Sequence, residues 1–211
     1  MTTTSGLDAR VAVAEECDEL AALLAQAPAE VWDSMSLCSG WRVREVVAHM
    51  TMPGRYSSGR FLLELARSRG RFNQMADRCA RRDAGLEPGE LLSALTSRRM
   101  KDWTPPGGGF EGALIHAVIH GLDITVPAGI SRQVPVERLA LVLDGLTQGK
   151  SLKHFGVRVD GVQLRATDMD WSFGSGAAVA GEGQDLALAL SGRRVGADRL
   201  TGPGTGRVTT R

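Results

Sequence analysis

The chain has 211 residues, 43% hydrophobic and 23% charged, with 25 Lys+Arg against 24 Asp+Glu. These proportions exclude disorder, collagen and coiled coil, and the charge balance argues against a dedicated nucleic-acid binder. No run approaches the roughly 18–20 apolar residues of a membrane span, and the opening MTTTSGLDAR lacks a signal peptide's apolar stretch, so a soluble cytoplasmic protein is expected.

In chain order, residues 8–26 read as a helix with a stripe of Val11, Val13, Ala14, Leu20, Leu23 and Leu24. Ala27–Pro28 ends it. A turn around Cys38-Ser39-Gly40 leads to a second helix from Trp41 through Met50. Glu45 lies in its first turn, where a carboxylate suits the dipole. Arg42, at the helix start, cannot accept first-turn N–H bonds, which predicts a loose start. Pro53 and Gly54 interrupt the pattern before Phe61–Ala66. Residues 71–84 are polar and arginine-rich. Pro88 opens a third helix with Leu91, Leu92, Leu95 and Met100. The run Trp103–Gly109, with two prolines and three glycines, is a breaker. Phe110–Thr125 reads as a fourth, mostly apolar helix, and 136–148 as another amphipathic one.

From residue 157 the texture changes. Val157, Val159, Val162, Leu164 and Ala166 alternate with polar residues around Asp160-Gly161, which predicts a hairpin. Trp171 and Phe173 continue an extended stretch. Asp185–Ser191 reads as a short helix ending at Gly192, and 200–206 as loop or edge strand. The expected architecture is mainly α: a four-helix bundle over 1–150, then a small α+β domain over 151–211. The texture switch itself falls between residues 130 and 157.

Cys17, Cys38 and Cys79 are too few and too scattered for a disulfide framework, and no CxxC exists. They read as reduced, mostly buried thiols. The histidines carry more. His116 and His120 lie four apart on a predicted helix, so their side chains share one face. Two imidazoles at that spacing can grip one cation. His49 sits on an apolar helix, between Ala48 and Met50, and should point inward. Three inward histidines from two helices would complete a three-ligand site with a fourth position open, the arrangement of a catalytic zinc; nickel is the other metal considered. Hydrogen-bonded core histidines are the plain alternative. Asp123, three residues after His120, could take that ring's second N–H. His154, in the linker region, reads as surface or interdomain packing. Glu111 is rotated off the ligand face.

The segment Cys38–His49, CSGWRVREVVAH, resembles the "GW-x-V-x-D/E-V-V-x-H" segment of mycothiol-dependent maleylpyruvate isomerase-like proteins, a branch of the DinB-like metalloenzymes. His116–Asp123 is similar to that family's second metal segment. Leu164–Trp171, Gly181, Leu186–Leu190, Ser191-Gly-Arg193 and Leu200-Thr-Gly202 follow the order of its small C-terminal domain. The resemblance implies a divalent metal in a helical bundle, usually zinc, whose open position takes the thiolate of mycothiol. It also implies a catalytic role for Arg193. The isomerase has Glu where this chain has His116, so the resemblance extends to three-histidine thiol transferases of the wider group.

The functional expectation is a metal-dependent mycothiol S-transferase or thiol-assisted isomerase. It would act on a small electrophilic substrate, as a monomer or homodimer, with neither nucleic acid nor membrane as partner. A non-catalytic small-molecule or lipid-binding protein of the same fold is the alternative. A third possibility, nucleic-acid binding through Arg67, Arg69, Arg71, Arg78, Arg81 and Arg82, lacks the aromatic interleaving that base stacking needs. Trp32, Trp41, Trp103 and Trp171 read as packing residues, although Trp103 and the Gly107–Gly109 loop could cap a site.

Overall fold

The computed structural model describes residues 7–210; the opening residues 1–6, part of the stretch read for a targeting signal, lie outside the described residues. The chain is mainly α with a small α+β part. It forms two compact units, one spanning Arg10–Ser131 and the other built on residues 132–210. The units part at the near edge of the 130–157 stretch, earlier than the expected 150/151 split. Among the described residues no helix is long and apolar enough to cross a membrane.

In the helical unit, α1 (Ala9–Gln26) buries Ala12, Val13, Cys17, Leu20 and Leu24. Burial first, and Asp18 second, push the Cys17 thiol up to about 11. A 3-10 turn at Ala29–Asp33 leads into α2 (Val43–Met50), of which Val43, Val46, Val47, Ala48 and Met50 are buried. Its start is not loose. The Glu45 carboxylate reaches back to accept the Arg42 backbone N–H at 2.8 Å, and the Arg42 guanidinium donates to its other oxygen at 2.6 Å. The cap is thus supplied from the third helical position, half of a capping box.

Pro53 opens a separate single turn, α3 (Met52–Arg55), instead of kinking one long helix. Ser57 caps α4 (Ser58–Arg67), its side chain accepting from the Arg60 N–H. The arginine-rich stretch 71–84, which carries no apolar run, is nonetheless a helix, α5 (Phe72–Asp83), burying Met75, Ala76, Cys79 and Ala80. Tertiary packing decides it: α5 lies against α2, and Met75 and Cys79 form a core with Met52 and Tyr56. Its arginines are held by carboxylates. Glu64, 2% exposed, accepts from Arg78 at 2.7 Å and Arg82 at 2.8 Å. Asp83 accepts from Arg55, Tyr56 and Arg82. Arg81 pairs with Asp77. Then come α6 (Pro88–Leu95), the short α7 (Arg98–Lys101) and α8 (Gly109–Thr125).

Before α8, Pro105 folds over the helix start. A Cβ at Gly108 would meet its Cγ at 2.8 Å and one at Gly112 at 3.0 Å, so these glycines serve close packing rather than movement. Along α8, Ala113, Leu114, Ala117, Val118, Ile119, Leu122 and Ile124 are buried. A helix apolar around most of its circumference is a central one.

In the second unit, α9 (Val136–Thr147) packs against α11 (Gly183–Leu190). A Cβ at Gly183 would meet Leu139 Cδ2 at 2.7 Å. This packing is why α9 belongs with the C-terminal part. Between them run α10 (Gly149–Phe155), with His154 exposed on it, and β1 (Val157–Arg158), β2 (Val162–Ala166), β3 (Ser172–Gly174) and β4 (Ala177–Gly181). Two short strands, β5 (Leu200–Thr201) and β6 (Thr209–Thr210), complete the unit. The main sheet has order β3-β2-β4-β5, with β2 and β4 parallel and both edges antiparallel. Asp160-Gly161 does turn the chain, but no hairpin forms: β1 pairs with β6, and β2 with β3 and β4. Alternation in β2 buries Val162, Leu164 and Ala166. The Trp171 indole donates to Asp144 of α9 at 2.8 Å, tying sheet to helix.

Bonds from Arg82 and then Arg78 pull Glu64 down to about 2, against the effect of burial. A carboxylate with a folded pKa below its unfolded value stabilises the fold above about pH 4.5, and that contribution fades as pH falls toward 2. Glu64→Gln should cost about 1–3 kcal/mol at neutral pH and flatten the acid limb of stability. Denaturant melts between pH 2 and 7 check both.

Candidate metal centre

The site forms where α2 meets α8. His49 lies in the last turn of α2, and His116 and His120 occupy successive turns of α8. Both helices bury their remaining faces, so the half-buried imidazoles face one another. The Nε2 atoms of His49 and His116 stand 3.4 Å apart. Ring centroids are 5.4 Å apart for His49–His116, 5.1 Å for His49–His120 and 4.7 Å for His116–His120. One ring nitrogen from each lies within 4.8 Å of the others.

Geometry separates a ligand set from three core histidines. Zinc–nitrogen bonds of about 2.0–2.1 Å at a tetrahedral centre put ligand nitrogens about 3.3–3.4 Å apart, the spacing of His49 and His116. A core histidine should satisfy both nitrogens. In His49, Nδ1 is buried without a hydrogen-bond partner, and Nε2 faces another imidazole nitrogen. Burial first, and His120 second, drive the His49 pKa down to about 3, with Asp123 pulling the other way. His49 is therefore neutral at physiological pH, the form that can donate a lone pair. These residues fit a divalent cation.

Behind the cluster stands Asp123, fully buried. Its Oδ2 lies 2.9 Å from His120 Nδ1, which assigns the proton to Nδ1 and leaves Nε2 for a cation. The same oxygen accepts from the Cys38 thiol at 3.0 Å. Cys38, His120 and Asp123 form a second cluster that could hold a cation, but the shared hydrogen bonding already engages the carboxylate oxygen.

Two indoles flank the rings. Trp41 is 5.2 Å from His49 and donates to Asp77 Oδ1 at 2.8 Å; Trp103 is 5.3 Å from His116, edge-on. A cleft of about 350 Å³ opens over this side, lined among others by Cys38, Trp41, His49, Asp77 and His120. The sequence reading of Cys38 is a reduced, mostly buried thiol, yet it is only half-buried and lines this cleft. Asp77 is the other residue that sequence reasoning misses. The signal available for Cys38 was its place two residues ahead of the Gly40-Trp41 pair. Arg193 lies in the other unit, just after α11, where its guanidinium donates to the Ser191 carbonyl at 2.7 Å. Glu111 is exposed on the first turn of α8.

No curated protein matches the chain. The profile of the mycothiol maleylpyruvate isomerase N-terminal domain matches residues 13–103, a span that includes His49 and stops before α8. Among solved structures, the mycothiol-dependent maleylpyruvate isomerase is similar at a TM-score of 0.62 and 16% identity, with 96% of each chain covered. A histidine-to-alanine mutant of that isomerase is similar at a TM-score of 0.63, with the same identity and coverage. Residues 13–103 are thus similar to the mycothiol maleylpyruvate isomerase N-terminal domain, and the two solved structures share the fold.

Proposed function

We propose that the protein is a metal-dependent enzyme of thiol chemistry, in which His49, His116 and His120 hold a divalent cation, zinc by preference. A low-molecular-weight thiol, mycothiol by family, is the cosubstrate. The observation that carries this reading is the 3.4 Å approach of the His49 and His116 Nε2 atoms, backed by a carboxylate on the third ring. Bound there, the cation supplies Lewis acidity, lowering a thiol's pKa from about 8.5 toward neutrality and so furnishing a nucleophile. Nickel would suit the same imidazole donors.

The residues of the chain divide the remaining work. Asp123 fixes the tautomer and orientation of His120. Trp41 and Trp103 border the imidazoles and limit the water that reaches them. The cleft beside His49 and His120 admits the thiol and its electrophile. Thiolate addition to an electrophilic carbon, followed by rotation and release, gives cis–trans isomerisation; retention of the adduct gives a transferase. His116 in place of the isomerase's glutamate leaves the ligand set neutral, which favours binding an anionic thiolate and supports the transferase branch. Arg193 is assigned a carboxylate of thiol or substrate.

Elemental analysis of the purified protein should find about one equivalent of metal. His116→Ala should lose it, and stoichiometric retention would overturn the site. Asp123→Asn should weaken metal binding by about 10–100-fold, measured by chelator competition, with the fold intact by circular dichroism. A metal-free protein that copurifies with a lipid or other apolar ligand would instead favour a binding function. Arg193→Lys should raise KM for a carboxylate-bearing substrate more than it lowers kcat.

A further inference from the structure

We propose that Cys38 is a positioning residue of the metal centre. Its thiol, through Asp123, sets the orientation in which His120 meets the cation. The proposal rests on the reading of the three histidines as ligands.

The placement of the sulfur is built. The Leu37 N–H donates to the Asp123 carbonyl at 2.9 Å, tying the loop before α2 to the last turns of α8. The Cys38 N–H donates to Ser36 Oγ at 3.1 Å, and that hydroxyl donates to the Trp41 carbonyl at 2.8 Å. The Trp41 N–H donates to the Cys38 carbonyl at 3.0 Å, and Met35 bridges Arg42. The loop thus closes on itself on either side of Cys38 while gripping α8. Within it, Sγ comes 3.0 Å from Asp123 Oδ2 and 3.7 Å from His120 Nδ1.

The chemistry of the acceptor gives the bond its direction. Asp123 Oδ2 lies within reach of two donors, the His120 ring and the thiol. A fully buried carboxylate oxygen with one of its donors removed can swing to find another. Swinging would release His120 Nδ1 and let the ring turn. The S–H bond opposes this from the cleft side, since Cys38 lines the cleft and Asp123 does not. Cys38 accordingly acts as a donor to the carboxylate, outside the ligand set and outside the reaction.

The test compares Cys38→Ala, which removes the donor, with Cys38→Ser, which keeps one. Each is made in the full-length chain and in an Asp123→Ala background. Cobalt(II) affinity is measured by chelator competition, alongside the visible spectrum of the cobalt(II) form. Cys38→Ala should weaken cobalt about tenfold and alter its ligand-field bands. Cys38→Ser should stay within about threefold of the parent, and Cys38→Ala should add nothing once Asp123 is gone, since residues in one network are not additive. In the cobalt-free protein, Cys38→Ala should also move the His120 ring signals in nitrogen NMR. If the parent binds cobalt tightly and Cys38→Ala is unchanged, or if the serine variant loses as much as the alanine variant, this inference falls and the metal reading stands. If the parent binds no cobalt at all, both fall together.

Discussion

Everything at the candidate site depends on how closely α2 and α8 approach. α8 is apolar around nearly its whole girth, and α2 offers valines and alanine toward the interior. Burying those surfaces sets the helix pair, and the polar interruptions on each then have one place to go. Three imidazoles enter the seam because the flanking residues are all more costly to expose. The nitrogen–nitrogen distance is therefore a product of hydrophobic packing, not of attraction between the rings. Burial first, with His120 beside it, keeps the His49 ring neutral.

A second constraint comes from charge. The α3–α5 region is held by guanidinium–carboxylate contacts around Glu64 and Asp83, with Tyr56 donating into the same carboxylate as Arg55. Carboxylates so deeply placed are tolerable because each has more than one donor. The network holds α5 to α3 and α4, while α5 packs against α2 and supplies Asp77, which accepts from Trp41 beside His49. α2 is thus packed on one side by α8 and on the other by α5.

Much of this was legible in the residues. The spacing of His116 and His120 and the apolar setting of His49 located the cluster, because helical periodicity fixes direction whenever a face is buried. Asp123 followed from the same spacing. The family resemblance of CSGWRVREVVAH agrees with the profile match over 13–103. What escaped had physical causes. α5 lacks an apolar run and folds because tertiary packing of Met75 and Cys79, with ion pairs around it, holds it, and such contacts leave no periodic trace. The Asp160-Gly161 turn looked like a hairpin, but strand pairing there is settled by the parallel β2–β4 contact, which joins segments apart in sequence. The stiff start of α2 needed Glu45 to reach backward, a local bond that composition at Arg42 conceals. Cys38 escaped because a thiol carries no sign of its partner.

The imidazoles are also held unequally. His120 is clamped by a buried carboxylate, whereas the Nδ1 of His49 has no anchor and the ring is confined by aromatic neighbours alone. Freedom to tilt is therefore available at His49, which borders the cleft. A ring held by packing alone can tilt toward an incoming group while His120 keeps the hold of its carboxylate.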